Sequence, residues 1–528
     1  MITNPILRGS NPDPSILRVG DDYYIATSTF EWFPGVRIHH SRDLVHWRQL
    51  PSPLDRKCLL DMKGDPDSGG VWAPNLTCHN GLFYLVYCDV KRFDGRWKDL
   101  CNYMVTSESI EGPWSDPIYL NSSGFDASIF HDDDGRAWVL NLFVDHRKGK
   151  FFGGIIMQEY SYSLKKLTGE VYHIFKGSEL GVTEGPVMMK KDGWYYLITA
   201  EGGTEYNHAV SIARSRDIKG PYEIHPENPL LTSSDKPEHP LQKSGHGSII
   251  NTPDGKWYIS HLAGRPIGIR GRCTLGRETC LQEITWSEDG WPRLAKGGHT
   301  PFIEVDGPDL PEAKWKETSG FDGFDDAELN IRYQSLRIPF DQSWMSLTER
   351  RGFLALKGQE SLCSTHSQSM VALRQSDLSF SAETVLEFEP EHCQHAAGIV
   401  YYYNTRHFIY FYMSKDDDIG KTLNVTVCDD NVFHDPLLEP IRIQQGRIHL
   451  KIIVDKAELM LEYKEPGQEW CRLPIVLDGS IISDDYVREK PEYKAAFTGA
   501  FIGLCCQDHA ERKKWAYFDS FEYNSNIL

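Results

Sequence analysis

Three acidic residues recur in short, similar settings along the chain: Asp13 in NPDP (11–14), Asp126 in FDAS (125–128) and Glu184 in TEGP (183–186). An acid beside proline or glycine is ordinarily a turn or strand-end residue, and any one of the three alone reads that way. Two further motifs belong to the same series: WAPN (72–75) supplies Trp72–Ala73 and GHGS (245–248) supplies His246. Carboxylates drawn together out of water are unfavourable unless they are paired, hydrogen-bonded or used. The chemistry that converging carboxyls serve is the splitting of a glycosidic bond. One carboxylic acid protonates the departing oxygen while a carboxylate works from the opposite face. That reading stands or falls on whether the motifs meet.

The elements that would bring them together are strands. About ten residues after each motif begins an aromatic run: DDYYIATS (21–28), NGLFYLVYCD (80–89), DGRAWVLNL (134–142), DGWYYLITA (192–200) and DGKWYISHL (254–262). In VTEGPVMMKKDGWYYLITA (182–200) an Asp-Gly pair separates two β-prone runs, a strong hairpin signal because both residues tolerate positive φ. Copies start about 55 to 60 residues apart, which is the mark of a repeat architecture. In a propeller each repeat is a four-stranded blade around a central channel. Motifs on the innermost strands would converge there, with Asp13, Trp72–Ala73, Asp126, Glu184 and His246 at equivalent positions. Blades are expected over roughly 10–60 and then to about 120, 178, 240 and 300. The echoes VRIHHSRDLVHWRQL (36–50), YMVTSESIEGPWSDP (103–117) and VSIARSRDIKGPYEIHP (210–226) read as outer strands without chemistry.

Beyond this region the period changes. DGPDLPEAKWKET (306–318) is Pro-rich and charged and reads as a linker. Nine alternating runs follow, among them FSAETVLEFEP, HAAGIVYYYN, RIHLKIIVD, FTGAFIGLCC and WAYFDSFEYN, and they predict a β-sandwich of jelly-roll or concanavalin-like type. Helical periodicity is nearly absent. The expected architecture is all-β: a five-bladed β-propeller over 1–305, a linker over 306–318 and a β-sandwich over 319–528.

A hydrophobic content of 40% with 25% charged residues is that of a globular protein. No apolar run is long enough for a transmembrane helix. The start, MITNPILRGSNPDP, lacks the charged-then-apolar order of a signal peptide, so a cytoplasmic protein is expected. A net charge of −19 argues against nucleic acid or an anionic membrane as partner and suits a neutral substrate. The 12 cysteines show no zinc-type spacing and are expected as free thiols. Sequons at Asn75, Asn121 and Asn424 mean little without secretion. A homo-oligomer, dimer or tetramer, is compatible with all of this.

Further residues fit a sugar pocket, where flat side chains meet the C–H faces of the rings. Trp72 and Phe30 are nominated on that ground. His246, between glycines, could bond a hydroxyl, hold a carboxylate, bind a metal or simply be structural. Arg277, in TLGRETCLQ (274–282), could pair with a carboxylate or donate to sugar oxygens.

Taken in order, NPDP, WAPN, DAS, TEGP and GHGS resemble glycoside hydrolase family 43. LGRET with a C-terminal sandwich containing FTGAFIGLCC resembles its β-xylosidase branch, and the resemblance covers essentially the whole chain. It implies a five-bladed propeller and inversion of the anomeric centre. Asp13 is implied as general base, Glu184 as general acid, and Asp126 as the carboxylate that tunes the acid and positions substrate. Phe30, Trp72, His246 and Arg277 are implied as pocket residues, with a sandwich phenylalanine closing the pocket: Phe497, or less favourably Phe501. Val144 stands where some relatives have an aromatic and is assigned nothing. No cofactor is required; calcium near His246 occurs in parts of the family.

On this reading Glu184 is kept protonated by burial and by the charge of Asp126, while Asp13 stays ionised. The two outer carboxyls of an inverting site stand roughly 6.5–9.5 Å apart. The expected activity is release of xylose from the non-reducing ends of β-1,4-xylooligosaccharides, with a small pocket enclosing one sugar. α-L-Arabinofuranosidase activity, alone or in addition, arabinan degradation, and a non-catalytic carbohydrate-binding propeller are the alternatives.

Overall fold

The computed structural model describes residues 1–147, 151–316, 319–489 and 495–525. The Asp-Gly turn folds as its chemistry requires. Lys191 pairs with Trp194, and the two residues between, Asp192 (φ 52°) and Gly193 (φ 72°), are both left-handed, the geometry that matches the twist of a tight hairpin. Asn80 (φ 51°) and Gly81 (φ 77°) do the same between His79 and Leu82.

Five antiparallel sheets follow, each with its strands in chain order. The first contains Ser15–Val19, Asp22–Thr27, Arg37–Ser41 and Arg48–Leu50. Gly70–His79, Leu82–Arg92, Asp99–Ser107 and Ile118–Asn121 form the second. Ser128–His131, Ala137–Val144, Phe152–Ser161 and Lys166–Phe175 form the third. The fourth is Glu184–Lys191, Trp194–Glu201, Ala209–Ser215 and Glu223–Ile224. Gln242–Asn251, Trp257–Gly264, Glu278–Trp286 and Pro292–Leu294 make the fifth. The aromatic second strands are buried along almost their whole length. They lie between two neighbouring blades, so both faces must be apolar, and this is why they read as runs rather than alternations. Ile2–Thr3 pairs with Glu304–Val305, tying the start of the chain to the end of the ring.

All nine runs expected beyond the linker are strands. They fall in two sheets, one built around Ser379–Glu387, Arg447–Asp455 and Trp515–Asn524, the other around His395–Asn404, His407–Asp416 and Phe501–Asp508. Their facing sides share one core that includes Phe380, Ile399, Phe411, Leu450 and Phe518. The FTGAFIGLCC run becomes a strand only at Phe501, which leaves Phe497–Ala500 as a free approach to it. A short helix precedes it: α1 (Asp484–Arg488), capped by Ser483, whose side chain accepts from Tyr486 N, with Asp484 and Asp485 in its first turn and Arg488 in its last. Five residues are too few to show a helical period, but the cap and the charge order suit the helix dipole.

The two regions are fastened by backbone as well as side chains. Trp32–Phe33 pairs with Ser335–Leu336, and Trp32 stacks on Phe501 at 3.6 Å between ring centroids. Arg337, 1% exposed, donates to the Asp65 carbonyl at 2.7 Å and to Asp67 at 2.8 Å. Gly276 and Gly499 meet so closely that a Cβ on Gly276 would lie 3.0 Å from the Gly499 Cα. The expected linker is not a solvated tether: Ala313 N donates to Asp43 and the Trp315 indole to the His46 carbonyl, holding it along the first blade. Residues 317 and 318 of it, 148–150 of the expected propeller, and 490–494 and 526–528 of the expected sandwich lie outside the described residues.

Candidate active site

The side chains at the axis are aimed by a repeated backbone device. Asp13 (φ 57°), Asp126 (φ 54°), Gly185 (φ 57°) and His246 (φ 52°) are all left-handed, and each stands two residues before a ladder pair: Ser15 with Ala26, Ser128 with Leu140, Val187 with Ile198, Ser248 with Ser260. A non-glycine residue held there stores strain, and such strain persists where the surroundings fix it. The expected equivalence of the five motifs is thereby corrected. Asp13, Ala73, Asp126, Gly185 and His246 are equivalent; Glu184, like Trp72, comes one residue earlier. The physical reason is steric. A Cβ at residue 185 would sit 2.8 Å from Cε1 of His246, so the fourth blade has glycine where two others have aspartate. Its acid reaches the channel from the preceding position.

Asp13 is the best-supported carboxylate. Its Oδ2 accepts from Ser28 Oγ at 2.6 Å, while Oδ1 lies 3.3 Å from Arg277 Nη1 and 3.6 Å from His246 Nδ1. Burial alone would raise its pKa, but the charges of Arg277 and His246 and the Ser28 bond outweigh it and hold Asp13 below the usual carboxylate range. Glu184 behaves oppositely: burial, and then the negative charge of Asp13, push it up to about 8. Asp126 is pushed well above its ordinary value by burial, by Glu184 and by Asp13, although Gly185 N donates to it at 3.1 Å. Burial and the charge of Asp13 raise Glu184, and Glu184 and Asp126, two carboxyls in one buried cluster, disfavour each other's ionisation.

Around these carboxyls lies a cavity of about 860 Å³. Phe497 reaches it from the sandwich, 5.7 Å from the Phe30 ring and edge-on to Trp72 at 5.4 Å, with the Arg277 guanidinium 5.3 Å from its ring centroid. Three hydrogen bonds fix the approach: Phe497 N to Ser68 Oγ (3.1 Å), Gly499 N to Asp484 Oδ1 (3.0 Å) and Ala500 N to the Thr274 carbonyl (2.8 Å). Phe501 points away into the core with Trp32, and Val144 is buried inside the third blade. All eight residues nominated from sequence line the cavity. Replacing Phe497 by alanine should lower kcat/KM on short substrates by about 10²-fold, the penalty typical of a slightly misplaced substrate. Unchanged kcat/KM in a variant with the parent's melting temperature would remove Phe497 from the site.

Sequence reasoning missed part of the wall. Arg488 of α1 lies 4.8 Å from the Phe497 ring centroid and pairs with Glu205 of the fourth blade at 2.8 Å. Thr204 accepts from Arg277 at 2.9 Å, and His208 is buried beside His246 and Arg277, its pKa brought down to about 3 by burial and by their charges. These residues sit in loops and in one helical turn without repeat partners; only the Ser483-Asp-Asp cap could have signalled Arg488. The cavity is also larger than the one-sugar pocket expected, because it continues from Phe30 and Trp72 out over the second and third blades. Among the described residues no group of three or more His, Cys, Asp or Glu is arranged to hold a metal.

The comparisons with known proteins bear on both regions. Residues 2–292 match the family model "Glycosyl hydrolases family 43", and residues 321–524 match "Beta xylosidase C-terminal Concanavalin A-like domain". The chain is 49% identical to "Beta-xylosidase" of Bacillus subtilis (strain 168), covering 99% of both chains. It is 47% identical to "Xylosidase/arabinosidase 43B" of Humicola insolens, covering 99% of this chain and 97% of that one. Among solved structures, a xylan beta-1,4-xylosidase from Bacillus halodurans C-125 superposes with a TM-score of 0.97 at 52% identity, over 99% of this chain and 100% of the other. With an all-β, five-bladed propeller, a concanavalin-like sandwich and these matches, the chain belongs to glycosyl hydrolases family 43.

Proposed function

We propose that this enzyme releases xylose from the non-reducing ends of β-1,4-linked xylooligosaccharides, inverting the anomeric configuration. The observation that carries the reading is the opposed protonation of two carboxyls in one cavity: Asp13 held ionised, Glu184 held protonated up to about pH 8. A carbohydrate-binding module has no use for that opposition. Relatives that cover nearly the whole chain and are named β-xylosidases support the choice of sugar. The Humicola insolens relative, named for both sugars, favours α-L-arabinofuranosidase activity as a second reading.

The chemistry follows from the geometry. The terminal xylose enters the deep end, its apolar faces against Phe30, Trp72 and Phe497. Asp13 takes a proton from a water, whose oxygen attacks the anomeric carbon. The bond from that carbon to the bridging oxygen breaks, and Glu184 gives that oxygen its proton. Arg277 and His246 hold the Asp13 carboxylate in place, and Asp126, bonded to Gly185 N, positions the sugar and the backbone beside Glu184. Each turnover leaves Asp13 with a proton to lose and Glu184 with one to regain, and solvent completes both. No step needs a metal or cofactor. An intracellular place of action is supported by the cysteines, all twelve of which are free, and among the described residues no helix is long and apolar enough to cross a membrane.

Proton NMR during early hydrolysis of xylotriose, beside initial rates on aryl β-xyloside and aryl α-L-arabinofuranoside, tests the reading. α-Xylose is expected as the first product, released one unit at a time. Initial β-xylose would overturn the inverting mechanism, and exclusive turnover of the arabinofuranoside would overturn the sugar.

A further inference from the structure

The cavity has one closed end and one open end, and they differ in charge. Phe497 and the Arg488–Glu205 ion pair wall off the side of the fourth blade and the sandwich. The other end is lined from the loops that follow the second strands of the second and third blades. There Phe125 and Phe151 form an aromatic wall, and Arg96, Lys98 and Arg147 stand along its rim. Among the described residues that line this rim there is one carboxylate, Asp145, forked by Arg147 at 2.7 and 2.8 Å, while the Lys98 ammonium donates to the Phe93 and Gly95 carbonyls. Arg96 uses Nε on the His146 carbonyl at 2.9 Å; among the described residues it has no carboxylate partner, so both of its Nη groups remain as donors. Lys98 lies 5.2 Å from the Phe151 ring centroid. In a chain of net charge −19, the described residues of this rim, with cations outnumbering acids three to one, are a local reversal of sign. Charge on the rim of a cleft selects and steers the ligands that enter it.

Because the terminal xylose occupies the closed end, the leaving group must pass over this rim. We infer that the site takes acidic xylooligosaccharides in preference to neutral ones: substrates whose sugar just beyond the scissile bond carries a uronic acid branch, its carboxylate received by Arg96 and Arg147 while its ring lies on the aromatic wall. A cavity of about 860 Å³ is in the range that encloses a ligand of several rings, which leaves room for such a branch. The inference rests on the xylosidase reading above.

The test compares three substrates: xylotriose, xylotriose bearing a glucuronic acid on its middle residue, and the methyl ester of that same branched compound. Acid and ester have the same outline and differ in charge. At low salt the acid should show a kcat/KM roughly three- to tenfold above the ester, the size of one or two charge-assisted contacts near a surface. The preference should fall towards one at high salt, where contacts at a rim are screened, and in the double variant Arg96→Gln/Arg147→Gln. Equal rates on acid and ester, or a preference unaffected by salt and by the variant, would overturn the inference. Failure to release xylose from xylotriose itself would instead overturn the reading it rests on.

Discussion

Asp13→Ala should lower kcat on xylooligosaccharides by about 10³-fold, within the range general-base catalysis contributes. Asp13 is the one carboxylate of the three that its neighbours hold below the usual range, so it alone is ready to take a proton from water at neutral pH. It also accepts from Ser28 and Arg277 and lies 3.6 Å from His246 Nδ1, and removing it leaves a buried guanidinium without its acid. The informative partner is therefore Asp13→Asn, which keeps the volume and the Ser28 bond but cannot act as a base. Both variants should lose activity to a similar extent, with Asn retaining more of the parent's thermal stability. Substrate binding, read by calorimetry on either inactive protein, should survive within about tenfold, since the aromatic walls do most of the holding. If Asp13→Asn kept a tenth of the parent's kcat, the base would have to be sought elsewhere.

Glu184→Ala should discriminate between leaving groups. Natural xylobiose, whose departing hydroxyl needs a proton, should lose about 10³-fold in kcat, whereas an aryl xyloside with a strongly acidic phenol should lose less than about tenfold. Equal losses on both would remove Glu184 from the role of acid. The pH profile gives a second reading of the same residue. The parent needs Glu184 protonated and Asp13 ionised. With Glu184 raised to about 8 and Asp13 lowered, activity should hold from below the usual carboxylate range up to about pH 8 and then fall. In the alanine variant, measured on the activated aryl substrate, that upper limb should vanish. Stability runs in the corresponding direction. The folded protein keeps the Glu184 proton that the unfolded chain releases near 4.5. The favourable contribution is present below that value and is lost as pH rises towards 8. Glu184→Gln, which cannot ionise, should accordingly melt a few degrees above the parent at pH 8, and a lower melting temperature there would count against the burial of a raised carboxyl.

Much of this protein is legible in its residues because the fold repeats itself. A hairpin turn needs positive φ at two positions, so Asp192-Gly193 and Asn80-Gly81 announce their turns. A strand pressed between two blades must be apolar on both faces, so five aromatic runs announce five blades. Repetition then sets Asp13 and Asp126 in register, and order along the chain brings in Glu184, His246 and Arg277. Composition argued against a nucleic-acid partner, and the lack of a long apolar run against a transmembrane helix, on the same elementary grounds. What it could not supply is whatever depends on contacts between residues far apart in sequence. That Glu184 stands one position out of register follows from the His246 ring lying on Gly185, 61 residues away in the chain. Phe497 rather than Phe501 faces the cavity because Gly499 meets Gly276 and the strand begins only after them. The raised carboxyls, the Arg488–Glu205 wall and the cationic rim likewise come from loops of different blades and from the sandwich. A periodic pattern records which face of an element is buried; burial depth, charge neighbours and the width of a cavity are sums over many elements, and only the packed chain decides them.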